Sequence, residues 1–93
     1  MVSQIAKDEL LDESRALLDD LTNQSIIEGS LEWYLNNNLR LFIESIEQSG
    51  SAKEIVNAAR TLSRFCTESM DWETDLYLRC ANLIESGFRL GKT

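Results

Sequence analysis

The stretch GSLEWYLNNNLRLFIESIEQSGSAKE (residues 29–54) decides how this chain folds. Within it, Leu31, Leu35, Leu39, Phe42, Ile43 and Ile46 recur at helical spacing and define one apolar face. The flanks have the same form. Gly29-Ser30 and Gly50-Ser51 each pair a glycine able to take the left-handed conformation that ends a helix with a serine able to cap the next. Ser51-Ala-Lys-Glu54 is a full capping box, in which Glu54 reaches back to the cap residue. The stretch therefore predicts a helix over about 30–49 and the start of another at 52.

Working outward, the same logic yields three more helices. Ser3 is a candidate cap for a helix over about 4–23, with Leu10, Leu11, Leu17, Leu18 and Leu21 on one face. Its other face carries Asp8, Glu9, Asp12, Glu13, Asp19 and Asp20. Residues 52–69 place Ile55, Val56, Ala59, Leu62 and Cys66 inward. Asp71, Glu73 and Asp75 put negative charge where a helix dipole favours it, at the start of a helix over about 72–89. That last helix has the widest apolar arc, with Trp72, Leu76, Tyr77, Cys80, Ala81, Leu83, Ile84 and Phe88. The segment from Asn23 to Gly29, with Ile26 and Ile27, reads as a loop packing two isoleucines or as a short turn of helix.

Proline is absent from the 93 residues, which favours uninterrupted helices. With 43% hydrophobic residues the chain can bury a core, and its length allows only one. The expected architecture is all-α: a single domain over residues 1–93, a compact bundle of four helices, mainly antiparallel and up-and-down.

Two residues of the central helix break its pattern. At about 100° per residue, Trp33 falls nearly opposite the apolar face, beside Arg40, Glu44 and Glu47. An aromatic on a charged face points to a surface covered by something else. Within Asn36-Asn37-Asn38, Asn38 falls on the core side, where a buried asparagine can set register or oligomeric state. A bend in the helix or a wet bundle end is the plainer and preferred reading.

The charge is strongly acidic, −7 overall. Residues 1–50 hold ten acids and three bases, whereas residues 51–93 hold six of each. Such a surface repels phosphate and anionic lipid, so neither direct nucleic-acid binding nor membrane binding is expected. Lys53, Asn57, Arg60 and Arg64 form a narrow basic stripe, suited to water or to an acidic protein surface. No apolar run approaches a membrane span. The opening residues lack the basic-then-apolar form of a signal peptide, so a cytoplasmic location is expected.

The chain contains no histidine, which removes the commonest general base and metal ligand. Glu-x-x-His di-iron chemistry and histidine phosphotransfer are thereby excluded. The carboxylates of the first helix lie on a polar face with no apolar pocket to raise a pKa. Cys66 and Cys80, fourteen residues apart, sit on apolar helix faces and read first as small hydrophobes. A redox pair is the sharper alternative; two thiols cannot by themselves complete a zinc site. No enzyme activity, cofactor, metal or small-molecule substrate is expected.

The expected function is an intracellular protein–protein interaction module or regulator that binds another protein or itself, a homodimer being the expected assembly. The candidate contact residues are Trp33, Phe65 and Leu78, left off the core faces like Ile5, together with Arg60 and Arg64. The alternative is an acidic inhibitor or immunity-type protein, whose carboxylates imitate phosphate and block a basic, nucleic-acid-binding surface.

Overall fold

A computed structural model describes residues 4–23, 26–48, 51–70 and 74–91. They form four helices: α1 (Gln4–Thr22), α2 (Leu31–Gln48), α3 (Ala52–Ser69) and α4 (Asp75–Gly91). Side-chain hydroxyls set three of the four starts. Ser30 Oγ accepts the Trp33 N–H (3.3 Å), Ser51 Oγ accepts the Glu54 N–H (3.4 Å), and Thr74 Oγ1 accepts the Tyr77 N–H (3.2 Å). Each satisfies a backbone donor that a helix leaves unpaired in its first turn.

The Thr74 cap moves α4 to Asp75–Gly91, three residues later than the spacing of acids implied and two residues longer at its end. Asp71, Trp72 and Glu73 lie outside the described residues, as do the Ser3 cap and Gly50. Gly29 has another role than ending a helix. It takes φ +85° in a turn closed by the Ser30 N–H on the Ile27 carbonyl (3.0 Å), several residues after α1 has ended. Positive φ at the third position of such a turn is where glycine is required.

Neighbouring helices contact one another in a closed ring, α1–α2–α3–α4–α1, with α3 and α4 the most extensive pair. Between α1 and α2, and between α3 and α4, residue numbers rise on one helix as they fall on the other, as antiparallel partners require. Thr22 meets Asn36 while Arg15 meets Glu47, and Asp20 meets Arg79. On the other side of the ring, Ala59 meets Gly87 and Ala52 meets Gly91. The radius of gyration is 12.7 Å, close to the roughly 12 Å of a close-packed chain this long.

The core is aliphatic. Leu10, Leu11, Leu17 and Leu21 of α1 pack with Leu35, Leu39, Phe42, Ile43 and Ile46 of α2, and with Ile55, Ala59, Leu62 and Cys66 of α3. Cys80, Leu83, Ile84 and Leu90 complete it from α4, and Met70 closes the end of α3. Each fully buried leucine or isoleucine contributes about 1.5–3 kcal/mol. Leu18, Leu31, Leu76, Tyr77 and Phe88 sit half-buried at the rim of this cluster, and Val56 and Ala81 are also half-buried.

The buried asparagine is Asn36, not Asn38. Asn36 is inside, its Nδ2 donating to Thr22 Oγ1 (3.3 Å), and Thr22 in turn donates to the Leu18 carbonyl (2.8 Å). Asn38 is half-buried on the α3 side and donates to its own helix at the Tyr34 carbonyl (2.8 Å). Ser14 is also fully buried, its hydroxyl satisfied by the Leu10 carbonyl at 2.7 Å. Among the described residues, no helix is long and apolar enough to cross a membrane.

Candidate functional site

The five candidate contact residues are spread over three helices, α2, α3 and α4. Leu78 projects into solvent from the outer face of α4, and Arg60 and Arg64 are exposed on α3. Phe65 is half-buried and packs against the core. Trp33 is also half-buried rather than bare, its indole meeting the Tyr34 ring edge-on with centroids 4.9 Å apart. Such T-shaped pairs contribute about 0.5–1.5 kcal/mol beyond the area they bury.

The structure instead draws attention to two residues that the phase argument passed over. Tyr34 is 49% exposed and Leu41 is 61% exposed. They lie seven residues apart and so share one face of α2. Tyr34, Asn38, Leu41, Ser45 and Gln48 form a stripe at helical spacing, separate from the core face. From Asn38 onward this stripe makes one wall of a depression of about 420 Å³ between α2 and α3. Glu54, Asn57, Ala58 and Thr61 make the opposite wall, with Phe42 and Leu62 also lining it. Phe65 follows Thr61 by four residues and continues the α3 wall toward the Tyr34 end of α2 by register.

The spacing itself contained this second stripe. Leu41 lies well off the face defined by Leu35, Leu39 and Ile46, as Tyr34 does, and a search for exposed apolar pairs at heptad spacing would have found both. Ile27, 75% exposed beside Gly29, lies in the segment whose conformation the spacing left open.

Charge is distributed as the composition implied. Asp8, Glu9, Asp12, Glu13, Asp19 and Asp20 are all exposed along α1. Asp20 is ion-paired with Arg79 (2.8 Å), and Arg15 with Glu47 (2.9 Å). Arg60 and Arg64 make no ion pair among the described residues, which leaves the α3 stripe open to an acidic surface.

The two cysteines are brought together. Cys66 and Cys80 are both free and buried, one on each side of the α3–α4 interface. A hydrogen-bond interaction with Cys80 holds the Cys66 thiol well above its ordinary range, with burial acting in the same direction. It holds Cys80 below the ordinary range, assisted by Arg79 and opposed by burial. Among the described residues, no three metal-ligating side chains cluster. Comparison with protein-family models, curated proteins and solved structures finds no match to this chain.

Proposed function

We propose that this protein is a small non-enzymatic interaction module that binds another protein through the outer face of α2, a second copy of itself being the first partner to test. One observation carries the reading: Tyr34 and Leu41 stand exposed at heptad spacing beside an open α2–α3 depression. A stripe of this form is how a helix presents anchors to a groove or to another helix. Aromatic residues are enriched among such anchors, and Trp33 braces the Tyr34 ring from the side. The charge pattern favours self-association, because the acidic exterior of α1 and the unpaired Arg60 and Arg64 of α3 are complementary surfaces on a single chain.

The test is the absolute mass in solution, by light scattering across a dilution series, for the wild type and for Leu41→Ser. A dimer that persists at low micromolar concentration, dissociates in Leu41→Ser and leaves the thermal midpoint nearly unchanged supports the reading. A wild-type monomer overturns self-association and makes a different protein the partner. Binding to such a partner that survives both Leu41→Ser and Tyr34→Ser overturns the α2 surface itself.

A second reading has its own observation. All six carboxylates of α1 are exposed, as a mimic of nucleic-acid phosphate requires. Partner binding that weakens steeply with salt and is insensitive to Leu41→Ser belongs to this acidic-inhibitor reading. Salt-tolerant binding that depends on Leu41 belongs to the first.

A further inference from the structure

The α3–α4 interface is a seam of small residues. A Cβ placed on Gly87 would stand 3.0 Å from the Ala59 Cβ. One placed on Gly91 would strike Val56 Cγ2 and stand 3.1 Å from the Ala52 carbonyl oxygen. Cys66 lies seven residues after Ala59, and Cys80 seven residues before Gly87. Seven residues are about two helical turns, so helices running in opposite directions repeat the same layer there and set Cys66 against Cys80. The mutual influence of the two thiols on each other's proton affinity agrees with that register. A disulfide needs its Cβ atoms about 3.5–4.5 Å apart, an approach that helices closed on glycine and alanine favour.

A second observation concerns access. Cys66 lines a depression of about 380 Å³ between α3 and α4, with Ser63, Thr67, Tyr77 and Ala81 among the other lining residues. That volume is ample for a small peroxide to reach the lining residues. The rest of the protein leaves no part for this pair in the α2 surface, which lies on the other side of α3.

We propose that Cys66 and Cys80 form an oxidative modification site, at which a small hydroperoxide converts the thiol pair into an intramolecular disulfide that staples α3 to α4.

The steps balance as follows. The pair gives one proton to water, leaving a single negative charge shared across the S–H···S⁻ bond. The remaining proton is held between the two sulfurs, so Cys66, which lines the depression, carries part of that charge. This sulfur attacks one peroxide oxygen, the O–O bond breaks, and Cys66 becomes a sulfenic acid while hydroxide leaves and is protonated. The Cys80 sulfur then attacks the Cys66 sulfur. The S–S bond forms, the S–O bond breaks, and the Cys80 proton leaves with the hydroxyl as a second water. Each sulfur is oxidised by one electron and each peroxide oxygen is reduced by one. The register sets the partner thiol opposite the reacting sulfur, so disulfide formation competes with further oxidation of the sulfenic acid.

The experiment treats the reduced full-length chain with dilute hydrogen peroxide under native conditions. The product is then unfolded, alkylated with iodoacetamide and weighed without reduction. The expected product has lost two hydrogens, accepts no alkyl group and remains the same size on a non-reducing gel. Its thermal midpoint rises by roughly 10–20 °C, as closing a short loop in a chain this size implies, and dithiothreitol reverses the rise. Cys66→Ala and Cys80→Ala, each treated alike, show no rise. Two alkylatable thiols after treatment, added oxygen atoms, or a disulfide-linked dimer would each overturn the proposal. So would the internal disulfide without a rise in midpoint. The wild-type mass decides the matter even where a variant folds poorly.

Discussion

Gly87 of α4 packs on Ala59 of α3 so closely that a Cβ on the glycine would lie 3.0 Å from the alanine methyl, with the Phe42 ring 3.8 Å away on the other side. Gly87 is buried within α4, one turn before its end, where glycine is otherwise a poor choice. Its place is explained by the neighbour. The two backbones approach until only hydrogen fits between them, and the same seam two turns away brings Cys66 to Cys80.

Gly87→Ala is accordingly expected to destabilise. Helix propensity favours alanine by about 0.5–1 kcal/mol, but overpacking of a close contact costs about 1–3 kcal/mol. The Ala59 methyl has no rotamer into which to retreat, so α3 and α4 must separate. A net loss of about 1–2 kcal/mol is expected in urea unfolding, and a gain would show that the seam opens freely.

Asn36 and Thr22 form a part-buried polar link between α1 and α2. Asn36→Ala removes a hydrogen bond and leaves a small void, with an expected loss of about 1–2 kcal/mol. Thr22→Val should cost about 1 kcal/mol. Because both remove the same bond, the double variant should lose less than the sum of the two. Strict additivity in denaturant melts would mean the 3.3 Å contact carries no energy.

Ser51→Ala removes the hydroxyl that accepts the Glu54 N–H at the start of α3. A loss of about 1 kcal/mol is expected, with Ser51→Asp retaining most of the stability. Thermal unfolding of the three proteins side by side measures this. An Asp variant no better than Ala would show that the cap is not what stabilises this end.

Arg79 and Asp20 join α4 to α1 at 2.8 Å, but both side chains are about half exposed. Water and salt screen such a pair, so Arg79→Ala should change stability by less than about 1 kcal/mol. Whatever effect appears should shrink between low and high salt. A larger, salt-independent loss would mean that the arginine stem, and not its charge, packs the α1–α4 contact.

The helices themselves were legible because their signals are local. Hydrophobic spacing located α2 and α3 to within a residue or so, and Ser30 and Ser51 cap as their positions implied. The start of α4 was misplaced because acids and a threonine compete for the same role, and the Thr74 hydroxyl holds the Tyr77 N–H. Asn36 and Asn38 show the limit of phase. They flank the core face of α2 on opposite sides, and α1 covers the first while the second turns back on its own helix. Tyr34 and Leu41 were missed for a related reason. Attention to the residue most opposed to the core led to Trp33, whereas the exposed anchors lie at the flank where α2 meets α3.

Four amphipathic helices, their approximate ends and the leucines and isoleucines that they bury all follow from spacing and capping, since these depend on residues within a turn or two of one another. Which faces meet depends on residues far apart in the chain. The Ala59–Gly87 seam, the Cys66–Cys80 pair and the depression behind Leu41 exist because helices pack until small residues touch. Periodicity within one helix carries no record of its neighbour, so only the packed bundle decides them.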